Sequence, residues 1–250
     1  MSDKLVIGIH AVDLLLKKSA DQINKIYLQA NRQDAKAQRL ISLAAKHRIP
    51  VVRWDKSKLD DMTDENHQGI IAELSQTGST VLSEYDLYDL VENKSGDITL
   101  LILDGVTDPH NLGACFRNAD AAGVDAVVVP KDKSVGLNST VRKVACGAAE
   151  TVPFYAVTNL VRALKTLQEL GVWIIGTAGE AEQTLFESQF SGSLALVMGA
   201  EGKGMRRLTR ENCDQLIKIP MKGSVSSLNV SVATGICLFE MMRQRELSQS

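Results

Sequence analysis

The sequence predicts an α/β protein whose larger part is a mostly parallel sheet. Short apolar, partly β-branched runs, segments of helical period between them, and turn residues at the junctions point to it. Strands buried on both faces read as near-continuous apolar runs, and helices on both sides of a sheet create that burial. With 44% hydrophobic and 23% charged residues, the chain carries enough apolar surface for a proper core, which excludes disordered, collagen-like and coiled-coil classes.

Residues 4–75 alternate the two periods. Ala11, Leu14, Leu15 and Leu16 mark a helix, Lys25 to Gln29 a strand, and Asp34 to Lys46 a helix with Ala37, Leu40, Ile41 and Ala44 on one face. Val51 to Trp54 and Gly69 to Leu74 are further strands, completing a compact α/β domain over residues 1–75. Residues 76–97 change character: Gln-Thr-Gly-Ser-Thr opens the stretch, Asn-Lys-Ser-Gly-Asp closes it, and five acids face one base, Lys94. That composition reads as an acidic linker before a second domain, 98–250. There the expected strands are Thr99 to Leu103, Ala126 to Val129, Val172 to Gly176, Leu194 to Met198 and Leu216 to Ile219. Helical spacing runs through Leu112 to Ala122, Leu160 to Leu170 and Val230 to Arg245.

Several function classes drop out or lose support. Lys+Arg 28 against Asp+Glu 30 leaves a net charge of -2, so no overall basic excess points to nucleic acid, although none is forbidden. The cysteines at 115, 146, 213 and 237 form no C-x-x-C pair, so neither zinc nor dithiol chemistry is expected, and they read as small core residues in a reducing compartment. No apolar run approaches a bilayer span and Met1-Ser2-Asp3-Lys4 opens no signal sequence, so a soluble, cytoplasmic protein is expected. A G-x-G-x-x-G turn is absent after the first strand of the second domain, and Gly202-Lys203-Gly204 lacks the spacing of a phosphate-binding loop.

Three segments are unusual for loops of a plain structural domain. Asp104-Gly-Val-Thr-Asp-Pro-His-Asn-Leu-Gly-Ala-Cys-Phe-Arg-Asn118 follows a strand, carries the Asp108-Pro109 helix start, and delivers His110, Asn111, Arg117 and Asn118 where open α/β sheets place ligands. Met198-Gly-Ala-Glu-Gly-Lys-Gly-Met205 follows another strand, with three glycines that permit close backbone approach and one carboxylate, Glu201. Ser226-Ser-Leu-Asn-Val-Ser-Val-Ala233 sets polar groups at the start of the last helix. Taken singly, each also reads as a capped turn, plain turn geometry or a helix cap.

In this order and spacing, the three segments closely resemble the signature motifs of the SpoU (TrmH-like) family of RNA ribose 2′-O-methyltransferases. Gly8-Ile-His-Ala-Val12 and His67-Gln-Gly-Ile70 resemble the ribosomal-protein-like RNA-binding extension of a bacterial branch that methylates a guanosine ribose of 23S ribosomal RNA. The resemblance implies S-adenosylmethionine as cofactor, no metal, a deep trefoil knot in the C-terminal domain, and a homodimer whose sites use both chains. It implies a polar catalytic set of Asn111, Arg117, Glu201, Ser227 and Asn229. Ala178, Gly199, Ile219, Met221 and Leu228 are implied to hold the cofactor, largely through backbone groups.

Arg117 is expected nearest the ribose hydroxyl and phosphate. A guanidinium gives up a proton reluctantly, so its expected role is an electrostatic clamp, with Glu201 orienting the site. Lys203, Arg206, Arg207 and Arg210 put four bases within eight positions beside the glycine turn and are expected to meet RNA phosphates, the plain alternative being a solvated basic face. His10 and His67 are expected RNA contacts of the small domain, against the ordinary reading of a lone His as a structural residue. Competing functions are the same chemistry on transfer RNA or another ribosomal site, and a non-catalytic RNA-binding module on the same scaffold.

Overall fold

The structure is a computed structural model describing residues 5–64, 66–74 and 81–248. The chain divides into two compact units, Met1–Thr80 with Leu137–Thr151, and Val81–Gly136 with Val152–Ser250.

In the first unit, β1 (Leu5–Ile7), β2 (Ile23–Gln29), β3 (Val51–Trp54) and β4 (Ile70–Leu74) form a sheet in the order β1-β4-β2-β3. β4 runs antiparallel to β1 and β2, and β2 lies parallel to β3. α1 (Ile9–Lys18) and α2 (Ala35–Lys46) bury Val12, Leu15, Leu16, Ala37, Leu40 and Ala44 against Ile26, Leu28, Ile70 and Ala72. α2 starts where Asp34 accepts hydrogen bonds from the amides of Lys36 and Ala37, at 3.0 and 3.1 Å. α3 (Lys56–Asp60) seats Leu59 on the other face of the sheet with Tyr27 and Ile71.

The second unit holds seven parallel strands. They are β5 (Thr99–Asp104), β6 (Ala126–Pro130), β7 (Phe154–Val157), β8 (Trp173–Thr177), β9 (Gln183–Thr184), β10 (Leu194–Gly199) and β11 (Gln215–Lys218), in the order β7-β6-β5-β10-β8-β11-β9. All six residues of β5 are buried, as near-continuous apolar strands require. Chain direction across the sheet reverses between β5 and β10, and their carboxyl ends, Asp104 and Gly199, pair in register. Open α/β sheets bind ligands at such a switch point.

Helices fix what lies there. α5 (Pro109–Ala121) begins on Asp108, which accepts from the His110 amide at 3.1 Å, with Pro109 pre-set for the first turn. α8 (Leu160–Glu169) packs Leu160, Ala163, Leu164 and Leu167 inward. The short α9 (Arg207–Glu211) precedes β11, after which the chain returns to α10 (Val230–Ser248), which lies along α5 and contacts β10. Asn118 of α5 donates to the Ser231 carbonyl at 2.7 Å, and a Cβ on Gly235 would stand 3.2 Å from the Asn118 amide nitrogen, so the two helices touch closely.

The boundaries depart from those expected. Residues 76–80 lie outside the described residues, but 84–93, expected as linker, form helix α4 (Glu84–Asn93) of the second unit. Ser83 and Asp86 make a reciprocal capping box, and Leu87 is fully buried with Leu90 and Val91 against the same core. The acids dominate the composition, while apolar residues at helical spacing dock the segment. Conversely, α6 (Ser139–Ala145) and α7 (Ala148–Thr151) belong to the first unit, where a Cβ on Gly147 would lie 3.2 Å from the Ala11 Cα. Arg142 and Glu150 pair at 2.8 Å between them; burial pushes the Glu150 carboxyl up, and Arg142 opposes the shift. Among the described residues no helix is long and apolar enough to cross a membrane.

Candidate active site

The turn after β10 builds the centre of the site. Ala200 and Gly204 exchange backbone hydrogen bonds of 3.1 and 2.9 Å, closing a loop in which Gly202 and Gly204 take positive φ angles of 73° and 64°. A Cβ on Gly199 would fall 2.1 Å from the Gly204 carbonyl carbon and the Met205 nitrogen. Gly199 is therefore demanded by the loop's own backbone, a reason distinct from the ligand approach expected of these glycines. The loop carries Glu201, which is exposed at the carboxyl end of β10.

Asn229 sits opposite, at the start of α10. Its side-chain oxygen accepts from the Ser231 amide at 2.9 Å and the Ser231 hydroxyl at 2.6 Å, which fixes its rotamer as a helix cap. Its amide nitrogen is then left to donate to Asn111 Oδ1 at 2.9 Å and to Glu201. Three residues from three separate segments thus share one hydrogen-bond node.

Two cavities meet at that node. One, of about 580 Å³, is lined by Thr177 and Ala178 after β8, Gly199 and Glu201 on the turn, Ile219 and Met221 after β11, and Ser227, Leu228 and Asn229. The other, of about 330 Å³, is lined by Asp104, Gly105, Asp108, Asn111, Lys133, Lys203 and Arg206. They share Ala200, Glu201, Gly204 and Val230 as a common wall. The residues expected to hold the cofactor, Ala178, Gly199, Ile219, Met221 and Leu228, all line the larger cavity.

Other expected site residues are engaged differently from what the sequence suggests. Arg117 is exposed on α5 and lines neither cavity; six positions beyond Asn111, it points to a different side of the helix. Arg206 is anchored in the fold: its amide donates to the buried Asp104 carboxylate at 2.8 Å, and its guanidinium lies 3.4 Å from the other oxygen. Arg207 pairs with Glu211 at 2.7 Å and Arg210 with Glu180, so three of the four expected RNA-binding bases are matched by acids. His67 corrects the expectation more strongly. It is 5% exposed, its Nδ1 accepts from the Gly69 amide at 2.9 Å, and its Nε2 faces Asp60 at 2.8 Å. Both ring nitrogens are spent on holding a turn. His10 is exposed on α1.

Asp104 and Lys133 are the residues sequence reasoning missed. A carboxylate ending an otherwise apolar strand was the available signal for the first; Lys133, with a φ of 61°, left no sequence trace. Burial pushes the Cys115 thiol up to about 11 and the Cys237 and Cys213 thiols up to about 12, so none of these offers a thiolate, while Cys146 is exposed and left-handed. No group of three or more His, Cys, Asp or Glu among the described residues could hold a metal ion.

A profile of the SpoU rRNA Methylase family matches residues 98–239. The chain belongs to the SpoU family. A second profile, RNA 2′-O ribose methyltransferase substrate binding, matches residues 5–77. The SpoU chain is 58% identical over 240 residues to the 23S rRNA (guanosine-2′-O-)-methyltransferase RlmB of Pseudomonas aeruginosa, covering 96% of both chains. It is 55% identical over 243 residues to RlmB of Escherichia coli, covering 97% of this chain and 99% of that one. Among solved structures, the SpoU methyltransferase AviRb from Streptomyces viridochromogenes, in complex with AdoMet, superposes with a TM-score of 0.76 at 22% identity, over 97% of this chain and 90% of that one. At that identity the likeness speaks for the SpoU fold alone.

Proposed function

We infer that this SpoU protein transfers a methyl group from S-adenosylmethionine to the ribose 2′-hydroxyl of a guanosine in 23S ribosomal RNA. The observation that carries the reading is the Asn111–Asn229–Glu201 node on the wall between two cavities, one suited to a cofactor and one to a nucleotide. The substrate follows the names of relatives that match this chain nearly end to end at more than half identity.

The larger cavity suits the cofactor by its chemistry. Ala178, Ile219, Met221 and Leu228 give apolar walls, backbone groups around Gly199 give hydrogen bonds, and Glu201 places a carboxylate on the rim for a cationic ligand. Bound there, S-adenosylmethionine supplies a methyl on a sulfonium, which needs neither metal nor phosphate cradle. Methyl transfer to oxygen is an in-line displacement, so positioning is the larger part of the protein's task. Asn111, held by Asn229, fixes the polar wall against which the ribose rests. Glu201 orients Asn229, and Ser227 adds a hydroxyl on the cofactor side. Lys203, on the turn, meets the RNA backbone.

Arg117 completes the site from a second copy of the chain, clamping the phosphate and the developing alkoxide. The homodimer has support in the surface that carries Arg117: α10 beside it leaves Val232 50% and Phe239 44% exposed, apolar area that a partner would cover. We further propose that the return from β11 to α10 threads a deep trefoil knot, since that segment brings 219–229 back to the turn after β10. In the small N-terminal domain His10 contacts RNA, and the protein works in the cytoplasm, where ribosomal RNA is processed.

Mapping ribose methylation in 23S ribosomal RNA from cells with and without this protein tests the reading; one guanosine losing its methyl is expected, and an unchanged map overturns it. Calorimetry with S-adenosylmethionine separates the enzyme from a non-catalytic RNA-binding module, which would show no binding. Methyl acceptance by transfer RNA in place of 23S RNA would favour the other competing function.

A further inference from the structure

We propose that the smaller cavity is a guanine-reading pocket in which Asp108 and Lys133 together read the Watson–Crick edge of the target base. This rests on the methyl-transfer reading above and assigns the base specificity that reading leaves open.

The cavity shares the Ala200–Glu201 wall with the cofactor cavity, so a nucleotide whose ribose rests on Asn111 extends its base into it. Gly105 lines it with a φ of 85°, a backbone conformation that side chains rarely adopt, between Arg206 and the Lys133 carbonyl. The charges favour a base over a phosphate. Asp104 is neutralised by Arg206 and Glu201 accepts from Asn229; with Lys203 assigned to the RNA backbone, Asp108 and Lys133 remain on the lining as an acceptor and a donor. One oxygen of Asp108 caps the His110 amide at 3.1 Å, and the other has no hydrogen-bond partner among the described residues. The Lys133 ammonium has no ion pair among them either. Val135 donates to the Val106 carbonyl at 3.0 Å, tying the two loops into one wall that presents both groups. A phosphate would meet the Asp108 carboxylate unfavourably. Guanine presents donors, N1–H and the 2-amino group, beside the O6 acceptor on a single edge, which complements a carboxylate next to an ammonium. Lys133 holds a left-handed backbone rarely adopted by residues other than glycine, asparagine or aspartate.

The test uses the full-length protein, S-adenosylmethionine and the RNA fragment around the methylated position, carrying guanosine, inosine or 2-aminopurine riboside at the target. Inosine lacks the 2-amino group, and 2-aminopurine lacks both O6 and the N1 proton while keeping the 2-amino group. Wild-type protein is expected to prefer guanosine over each by about tenfold or more in kcat/KM, because the analogues leave a group that the bound base covers without its partner. Asp108→Asn, which keeps the helix cap, is expected to close the gap between guanosine and inosine by losing rate on guanosine, and to lower the preference over 2-aminopurine only in part, through the N1–H contact that this base lacks. Lys133→Met should lower the preference over 2-aminopurine and leave that over inosine intact, because inosine keeps O6. Equal use of all three bases by wild-type protein, or Asp108→Asn retaining the full preference over inosine, would overturn the proposal while leaving methyl transfer standing. An absence of methylation on any fragment of 23S RNA would instead bring down the functional reading beneath it.

Discussion

The Asn229 side-chain nitrogen donates at 2.9 Å to the side-chain oxygen of Asn111, a residue 118 positions earlier in the chain, while the Asn229 oxygen caps α10. One amide therefore serves the helix on one side and the site on the other, so the two roles can be separated. Asn229→Ala is expected to lose both, with about 1 kcal/mol of stability from the cap and most of the methyl transfer. Asn229→Asp keeps an acceptor for the cap but turns a second carboxylate oxygen toward Glu201. It is expected to melt closer to wild type than the alanine variant, with kcat/KM down about tenfold or more. Wild-type turnover by Asn229→Asp would show that the node does not matter to catalysis.

Gly199→Ala tests the turn itself. With its Cβ forced to within 2.1 Å of the Gly204 carbonyl carbon, the loop must move as a unit. Loss of S-adenosylmethionine binding by calorimetry is expected, together with a lower Tm; unaltered affinity would mean that the loop's position is irrelevant to the cofactor.

Asp104 is predicted to be structural. Asp104→Ala leaves the Arg206 amide without its acceptor, a loss of about 1–3 kcal/mol in urea unfolding. Arg206→Met should cost less, because the guanidinium is 42% exposed and the backbone bond survives. The reverse ranking would make the ion pair the main tie.

Acid stability should depend on Glu240. Arg243 donates two hydrogen bonds to it at 2.8 Å, and that guanidinium, with Gln244, holds its carboxyl down at about 2. The folded value lies below an unfolded value of roughly 4.3, so the contribution is fully present above the unfolded value and disappears as pH falls through the folded one. Wild type is expected to be more stable than Glu240→Gln near neutral pH, with the gap closing toward pH of about 2. Because Arg243 is 57% exposed, screening keeps the gap small. Urea midpoints across a pH series measure it, and a gap independent of pH would refute it.

Arg117→Lys probes the clamp. Lysine keeps the charge but not the planar fork, so turnover is expected to fall strongly with S-adenosylmethionine affinity unchanged. Near-full turnover would rule out a bidentate role.

How much was legible depended on whether a residue's partner was local. Asp34 and Asp108 announce their helices because a cap binds amides two or three residues away. The expected strands at 99–103, 126–129 and 194–198 were readable because burial on both faces leaves an apolar run. The helix at 84–93 was hidden because its acids dominate the composition while Leu87, Leu90 and Val91 decide where it docks. His67 misled for a similar reason: its two partners, Gly69 and Asp60, consume the ring only once the turn has folded.

The sequence by itself determined the parallel α/β class, the three polar segments and the family, because helical and strand periods and motif spacing are properties of neighbours along the chain. The tertiary structure alone decided that Asn111, Glu201 and Asn229 share one node, that Arg206 belongs to Asp104, and that Arg117 faces away from the cavity of its own chain. Those relationships follow from strand order and helix rotation, which bring together side chains from distant stretches and which no local pattern encodes.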